Sequence, residues 1–264
     1  MTLASWAAAL LLTAGADSPS APPPPPPPPA VVAPVPPPPM QEKDAKALAL
    51  VKKMSDRLTK ARSYTLKARI SLELPVAGGG TGTFFNDATG MVQRPDKVAA
   101  HRTGDLPELR FAYDGTTMSI YVPGSQKWGS IAAPPTIDAM IPFAAEQAGL
   151  TFPFDEVLVA DPYAAITKDL ARATLVGTST IGGTKTDHVL LASPGLELQL
   201  WLDTATSLPV RVAVVYTDQA HRPHFSVDYL EWRLDPKLPA DAFALPMPKG
   251  ATQVDLRAAA AAFR

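Results

Sequence analysis

Side chains able to do chemistry are few in this chain, and their spacing argues against catalysis. The histidines are His101, His188, His221 and His224. The run His221-Arg222-Pro223-His224 brings two imidazoles close together. Pro223 forbids the regular helix that would carry a ligand pair, and no third metal ligand is evident, so a solvated hairpin turn fits the run better. The chain has no Gly-x-Ser-x-Gly elbow to expose a nucleophile and no Gly-x-x-x-x-Gly-Lys-Ser/Thr loop to cradle a phosphate. Asp105, Asp114, Asp187, Asp203 and Asp218 fall at or near expected turns, where a carboxylate caps backbone N–H groups. Trp128, Trp201 and Trp232 lie in expected strands and read as packing residues. There is no cysteine, which excludes disulfides, thiol catalysis, cysteine-ligated zinc and a lipid-modified cysteine anchor. No catalytic residue, metal site or cofactor is expected.

Composition narrows the partners. Lysine and arginine total 24 against 25 acidic residues, so neither nucleic acid nor an anionic membrane has a basic surface to meet. Apolar residues make up 46% of the 264, enough for a sizeable core. Residues 1–16 read as a signal peptide: an apolar run from Leu3 to Ala14 is followed by Ala14-Gly15-Ala16, small residues suited to cleavage after Ala16. The run is shorter than the ~20 residues that span a bilayer, so export without stable membrane insertion is expected. Fourteen of the 30 prolines lie between Pro19 and Pro39, which makes residues 17–40 a stiff polyproline II spacer about 60 Å long. The folded domain is expected over residues 41–256, followed by an alanine-rich tail over 257–264.

Within that domain the hydrophobic period changes along the chain. Leu48, Val51, Met54, Leu58 and Ala61 recur at helical spacing among lysines, predicting an amphipathic helix from Glu42 to Arg62. The period then becomes two. Leu66, Ala68, Ile70, Leu72 and Leu74 alternate with Thr65, Lys67, Arg69, Ser71 and Glu73, as in a strand with one apolar face. Further strands are predicted at Thr83 to Val92, Lys97 to Arg102, Leu109 to Tyr113, Thr117 to Val122 and Lys127 to Ala132. A second set covers Ala173 to Ile181, Lys185 to Ala192, Glu197 to Asp203, Val210 to Thr217 and Phe225 to Trp232. Gly78 to Gly82 reads as a hairpin loop, and Asp114-Gly115 as a type I′ turn. Between the two sets lie helical fragments. Ile137, Met140, Ile141 and Ala144 share a face that Pro142 should shorten or kink, and Asp161-Pro162 caps a helix reaching about Leu170. Connections this short require antiparallel pairing. The pattern therefore predicts an α+β fold with a large sheet whose apolar face is covered by the N-terminal helix and the helical insert. A lid over a hollow and a closed core fit that pattern equally well.

These motifs resemble the outer-membrane lipoprotein carrier superfamily, the LolA-like fold, and within it a family of predicted periplasmic proteins. The resemblance runs from about Ala45 to Val254. It is carried by Ser63-Tyr64, Gly82-Thr83, Val92-Gln93-Arg94-Pro95-Asp96, Tyr113-Asp114-Gly115 with Tyr121, Asp161-Pro162-Tyr163, Leu200-Trp201-Leu202-Asp203 with Leu208-Pro209, and Phe243 with Pro248-Lys249-Gly250-Ala251. It implies an unclosed antiparallel half-barrel of ten or eleven strands, with the N-terminal helix and short lid helices over an apolar cavity. In the carriers an arginine before the proline of an Arg-Pro-Asn/Asp turn holds the lid shut, and the matching residue is Arg94. An arginine bracing its own turn also fits that position. The surface features by which true carriers meet their release machinery have no counterpart here.

The expected function is that of a non-enzymatic periplasmic binding or carrier protein, monomeric, for a lipid, a lipoprotein acyl chain or another apolar ligand. Leu66, Ala68, Ile70 and Leu72 should line its site, faced by Met140, Ile141 and Phe143. The alternative is an envelope sensor of the same fold that regulates a membrane signalling partner, with an envelope protein as its binding partner.

Overall fold

The computed structural model describes residues 43–152, 154–219 and 222–261; the expected signal peptide and proline spacer lie outside them. The first helix, α1 (Ala45–Lys60), starts where the Asp44 carboxylate accepts the Lys46 N–H, and it buries Ala47, Val51, Met54 and Leu58 on one stripe. The chain then enters β1 (Ser63–Pro75), β2 (Thr81–Gln93), β3 (Lys97–Gly104), β4 (Leu109–Tyr113), β5 (Thr117–Val122) and β6 (Lys127–Ala132). Two helices follow, α2 (Ile137–Ala148) and α3 (Pro162–Thr167). The second strand set is β7 (Arg172–Ile181), β8 (Thr184–Ser193), β9 (Leu196–Asp203), β10 (Pro209–Tyr216) and β11 (His224–Leu234), and the short β12 (Thr252–Gln253) and α4 (Leu256–Ala261) complete the order.

Among the described residues the strands form one sheet in the order β12-β6-β5-β4-β3-β2-β1-β11-β10-β9-β8-β7. Its two edge strands, β12 and β7, do not pair with each other, so the sheet of this α+β fold is unclosed, as the resemblance implied. It has twelve strands where ten or eleven were expected. The additional one, β12, pairs parallel to β6 through two residues only, Thr252 with Lys127 and Gln253 with Trp128. Two residues carry no readable period, and the long connection from β11 removes the constraint that makes strands joined by short turns antiparallel.

Register places the apolar alternation of β1 on the sheet's inner face. Leu66 stands opposite Trp232 and Gly90, Ala68 opposite Tyr229 and Ala88, and Ile70 opposite Val227 and Asn86. In β11 the inner-face residues switch from odd to even numbers between Tyr229 and Trp232, because a bulge inserts Leu230. Leu230 is 61% exposed. Val176 occupies the same kind of bulge in β7 and is 53% exposed. These outward apolar side chains follow from the bulges and break no inner-face pattern.

Two local expectations change. Pro142 neither stops nor shortens α2, which runs twelve residues from a Thr136 cap to Gly149 in the left-handed conformation. Pro142 is exposed, and its ring costs the helix the hydrogen bond to the Asp138 carbonyl. The Asp114-Gly115 turn is not type I′, because only Gly115 has positive φ. The Asp114 carboxylate instead accepts the N–H groups of Thr116 and Thr117. Burial alone would raise this carboxyl, yet these hydrogen bonds hold it below the usual carboxylate range.

Helices cover the inner face on both flanks. α1 packs over β7 and β8 and meets α3, where Ser55 Oγ accepts the Tyr163 N–H at 3.1 Å. α4 lies on β5 and β6 with Leu256, Ala259 and Ala260 buried. Arg257 of α4 also donates to the Glu146 and Gln147 carbonyls at the end of α2. The contact is close: a Cβ on Gly129 would stand 2.7 Å from Leu256 Cα. Between these flanks the inner face is covered by residues 149–152 and 154–161, whose one helical turn is a 3-10 helix at Asp155–Val157.

Candidate functional site

Under that segment lies a hollow of about 260 Å³. Its origin is the small side chains of the central strands. Ala68 of β1, Ala88 and Gly90 of β2 and Ala100 of β3 form the floor, where neighbouring strands carry leucine, valine or tyrosine. A Cβ on Gly90 would already stand 3.2 Å from Leu66 Cγ. Leu66, Ile70 and Leu72 complete the β1 side, and Leu150, Phe152 and Phe154 form the roof. Phe152 meets Phe111 edge to face with ring centroids 5.1 Å apart. Leu66, Leu72, Ala88, Ala100 and Phe152 are only partly buried, so the apolar lining stays open to small molecules.

All four β1 residues expected at the site, Leu66, Ala68, Ile70 and Leu72, thus line one hollow. Met140, Ile141 and Phe143 do not border it. Met140 is fully buried in the core, whereas Ile141 and Phe143 are half-buried against it. The reason is where α2 begins. The Ile137 N–H donates to the Pro95 carbonyl at 3.0 Å, which fixes the helix at the β2–β3 turn and leaves the segment after Gly149 to roof the hollow. The floor residues Ala88, Gly90 and Ala100 were not singled out from the sequence. Their signal is the alternate small pair Ala88 and Gly90 of β2 and the single Ala100 of β3, and it acquires meaning only once register sets Gly90 beside Ala100.

Polar contacts pin the roof at one place. Arg94 Nη1 donates to the Leu158 carbonyl at 2.8 Å and the Val159 carbonyl at 2.6 Å, and Nη2 donates to the Val157 carbonyl at 3.1 Å. The buried Tyr64 hydroxyl donates to the same Val157 carbonyl at 2.7 Å. Burial raises this phenol's pKa, so it stays a donor at any ordinary pH. The Arg94 guanidinium also sits 5.8 Å from the Tyr64 ring centroid, a cation–π contact. Asp138 of α2 accepts the Ala160 N–H at 3.0 Å. One charged fork and one carboxylate therefore hold residues 157–160, while Leu150, Phe152 and Phe154 meet the sheet through apolar side chains.

Beyond Phe152 and Phe154 the hollow adjoins a second, outer chamber of about 590 Å³. The two share Leu72, Thr151, Phe152 and Phe154 as lining. The outer chamber is more polar and includes Glu73, Asp155, Glu156, Gln219 and His224. Burial, reinforced by the neighbouring Asp155, pushes the Glu156 carboxyl up to about 7.

Each described histidine has a side-chain partner. His101 contacts Glu108 at 2.8 Å, His188 stacks on Trp201 and bonds Gln199, and His224 Nδ1 contacts Glu73 at 2.8 Å. His221 lies outside the described residues. No group of three or more histidine, aspartate or glutamate side chains able to hold a metal occurs among the described residues.

Several solved structures are similar in fold at low identity. A chain of the Pseudomonas aeruginosa MucA/MucB complex is 12% identical over 76% of this chain, with a TM-score of 0.45; this chain covers 62% of it, less than two thirds. The lipoprotein LppX of Mycobacterium tuberculosis is 14% identical over 74% of this chain and 98% of its own, with a TM-score of 0.46. A LolA superfamily protein from Nitrosomonas europaea is 9% identical over 75% of this chain and 97% of its own, with a TM-score of 0.36. No curated protein sequence matches the chain. Residues 47–257, from the first turn of α1 to the first turn of α4, match the model of the DUF2092 family, described as predicted periplasmic proteins, and the chain belongs to that family.

Proposed function

We propose that the protein is a non-enzymatic periplasmic binding or carrier protein that holds the apolar part of a lipid or lipoprotein in the hollow beneath residues 149–161. The observation that carries this reading is the floor of Ala68, Ala88, Gly90 and Ala100 under a roof of phenylalanines. Larger apolar side chains at these positions would close the core and bury more surface, so the small ones leave stabilisation unrealised that a guest can supply. Each buried CH2 of such a guest contributes about 0.8 kcal/mol. In this reading Arg94 is the latch. It clamps residues 157–159 through three carbonyls while the side chains of Leu150, Phe152 and Phe154 move aside, which lets the roof open at one end without losing its anchor. The periplasmic placement rests on the family description and on the apolar run before Ala16. Among the described residues no helix is long and apolar enough to cross a membrane.

Native mass spectrometry of protein purified from its own envelope without denaturation tests the reading. The expected spectrum shows a fraction of the protein carrying a lipid-sized adduct that organic extraction removes. Protein that is empty as isolated, and that takes up nothing from lipid vesicles, would overturn it.

A further inference from the structure

The two longest strands reach beyond the sheet. β1 pairs with β11 only as far as Leu72, and β2 pairs with β3 only from Asn86 onward, yet β1 and β2 go on pairing with each other to Pro75 and Thr81. Residues 73–85 therefore form a two-stranded ribbon with no described strand on either side. Such a ribbon is marginal on its own, and open sheet edges are ordinarily protected by charge. This one carries charge only at its base. Glu73 stands there against His224, and Asp105 accepts the Phe85 N–H at 2.8 Å. No residue from Leu74 to Phe84 is charged.

What the ribbon exposes instead is apolar. Among the described residues the exposed large apolar side chains are Leu74, Val76, Phe85, Val176 and Leu230; bulges account for the last two, and the other three belong to this ribbon. Val76 and the half-buried Phe84 converge over Gly82, where an added Cβ would stand 2.8 Å from Val76 Cγ1 and 3.2 Å from Phe84 Cε2. At the tip the Val76 N–H donates to the Gly80 carbonyl and the Gly79 N–H to the Val76 carbonyl, both at 3.2 Å, so part of the turn's backbone is satisfied without water. Pro75 has no N–H to offer an added strand, which disfavours a second chain as the cover. The ribbon is also one wall of the outer chamber, through Glu73, Leu74, Pro75 and Thr81, and that chamber adjoins the hollow at Leu72, Phe152 and Phe154.

We propose that the tip of this ribbon, Leu74 to Phe84, docks shallowly and reversibly in the surface layer of a lipid bilayer and sets the outer chamber against the membrane for exchange of the guest. This rests on the binding function proposed above and names the surface through which it works. A bilayer fits the tip's composition, because uncharged apolar side chains gain from leaving water and gain nothing from a charged partner. A guest with an apolar chain resides in that same layer, and a chamber opened against it spares the chain a passage through water. The contact is therefore expected to be indifferent to anionic lipid and to salt.

The chain has no cysteine, so Ala77→Cys takes a single environment-sensitive nitrobenzoxadiazole label at the tip, and Thr178→Cys, exposed on the edge strand β7, takes the same label as a control. Each labelled chain, purified from the envelope, is titrated with neutral phosphatidylcholine vesicles. The tip label's emission is expected to shift to the blue and rise at least about twofold, while the control label's stays unchanged. Salt at about 0.5 M, or about a quarter of phosphatidylglycerol in the vesicles, should change the half-saturating lipid concentration by less than about twofold. Val76→Asp in the tip-labelled chain should raise that concentration about tenfold and leave uptake of the apolar fluorescent probe N-phenyl-1-naphthylamine as it was. A tip label that ignores vesicles, on a chain that takes up the probe, overturns the docking and leaves the binding function standing. A response that needs anionic lipid overturns the docking too, as does an emission already shifted without vesicles because a second copy or the chain's own residues 1–42 cover the tip. A chain that takes up no probe removes the binding function and with it the exchange assigned to the ribbon.

Discussion

Two glycines on one cross-strand row show how the same sheet face is solid in one place and hollow in another. The row runs Leu66, Gly90, Ala100, Phe111, Ile120, Gly129 across β1 to β6. At Gly129 the missing side chain lets a helix sit on the sheet, with the α4 backbone where a Cβ would be. At Gly90 nothing comes down to use the space; the nearest atoms belong to Leu66 on the same sheet. The difference lies in the cover. A helix presents a continuous ridge that small residues admit. Residues 149–152 and 154–161 offer only one short 3-10 turn, Asp155–Val157, with Phe154 before it in the left-handed conformation, and they bridge the floor without filling it. An absence of side chain at one end of the row therefore serves packing, and at the other end it serves volume.

Breaking the solid end should have the largest effect. Ile120 is fully buried between Phe111 and Gly129, and Ile120→Ala is expected to lower the unfolding free energy by about 3–4 kcal/mol in urea titration, because the surrounding helices and strands cannot collapse into the gap. At the open end the charge state of Glu156 matters most. Folded protein keeps its proton up to about pH 7, while an unfolded glutamate releases it near 4.5. Between those values the folded state holds the extra proton, so raising the pH favours unfolding. Stability should fall by roughly 3 kcal/mol across that window and stay flat above it. Glu156→Gln should remove the slope, as read by melting temperature against pH. The turn carboxyls of Asp114 and Asp203, held below their ordinary value by backbone and hydroxyl hydrogen bonds, act in the opposite sense and only at lower pH.

The glycines themselves sharpen the contrast. Gly129→Ala forces a methyl against Leu256 Cα and should cost about 2 kcal/mol and loosen α4, seen as faster amide exchange in residues 256–261. Gly90→Ala asks only that the Leu66 side chain give by a few tenths of an ångström, and its stability change should stay within about 0.5 kcal/mol.

The elements were readable from the sequence wherever a period ran long enough. The stripe Val51, Met54, Leu58 locates α1, and the alternation Leu66 to Leu72 locates both β1 and its inner face, since period two leaves only one register that buries them. The bulges at Val176 and Leu230 were not legible, because an apolar residue in a strand looks the same whether it is paired or extruded. The site was half legible for the same reason. Leu66 to Leu72 reveal their face locally. Whether Met140 or Phe152 lies opposite them depends on a bond from Ile137 to the Pro95 carbonyl, forty-two residues earlier in the chain, which no local pattern encodes. Arg94 was marked by resemblance, and its three carbonyl partners at 157–159 are a long-range fact of the fold.

The account stands or falls on the volume above Ala88 and Ala100. Replacing both with leucine fills that volume from the floor, and the measurement is the binding stoichiometry of N-phenyl-1-naphthylamine to the wild-type and Ala88→Leu, Ala100→Leu chains. The wild-type chain should bind one equivalent, and the filled chain none at any accessible probe concentration, with its melting temperature kept or raised because the leucines occupy space no side chain uses. Unchanged probe binding by a folded double-leucine chain would contradict the account, since it would show that the apolar guest sits somewhere other than this hollow.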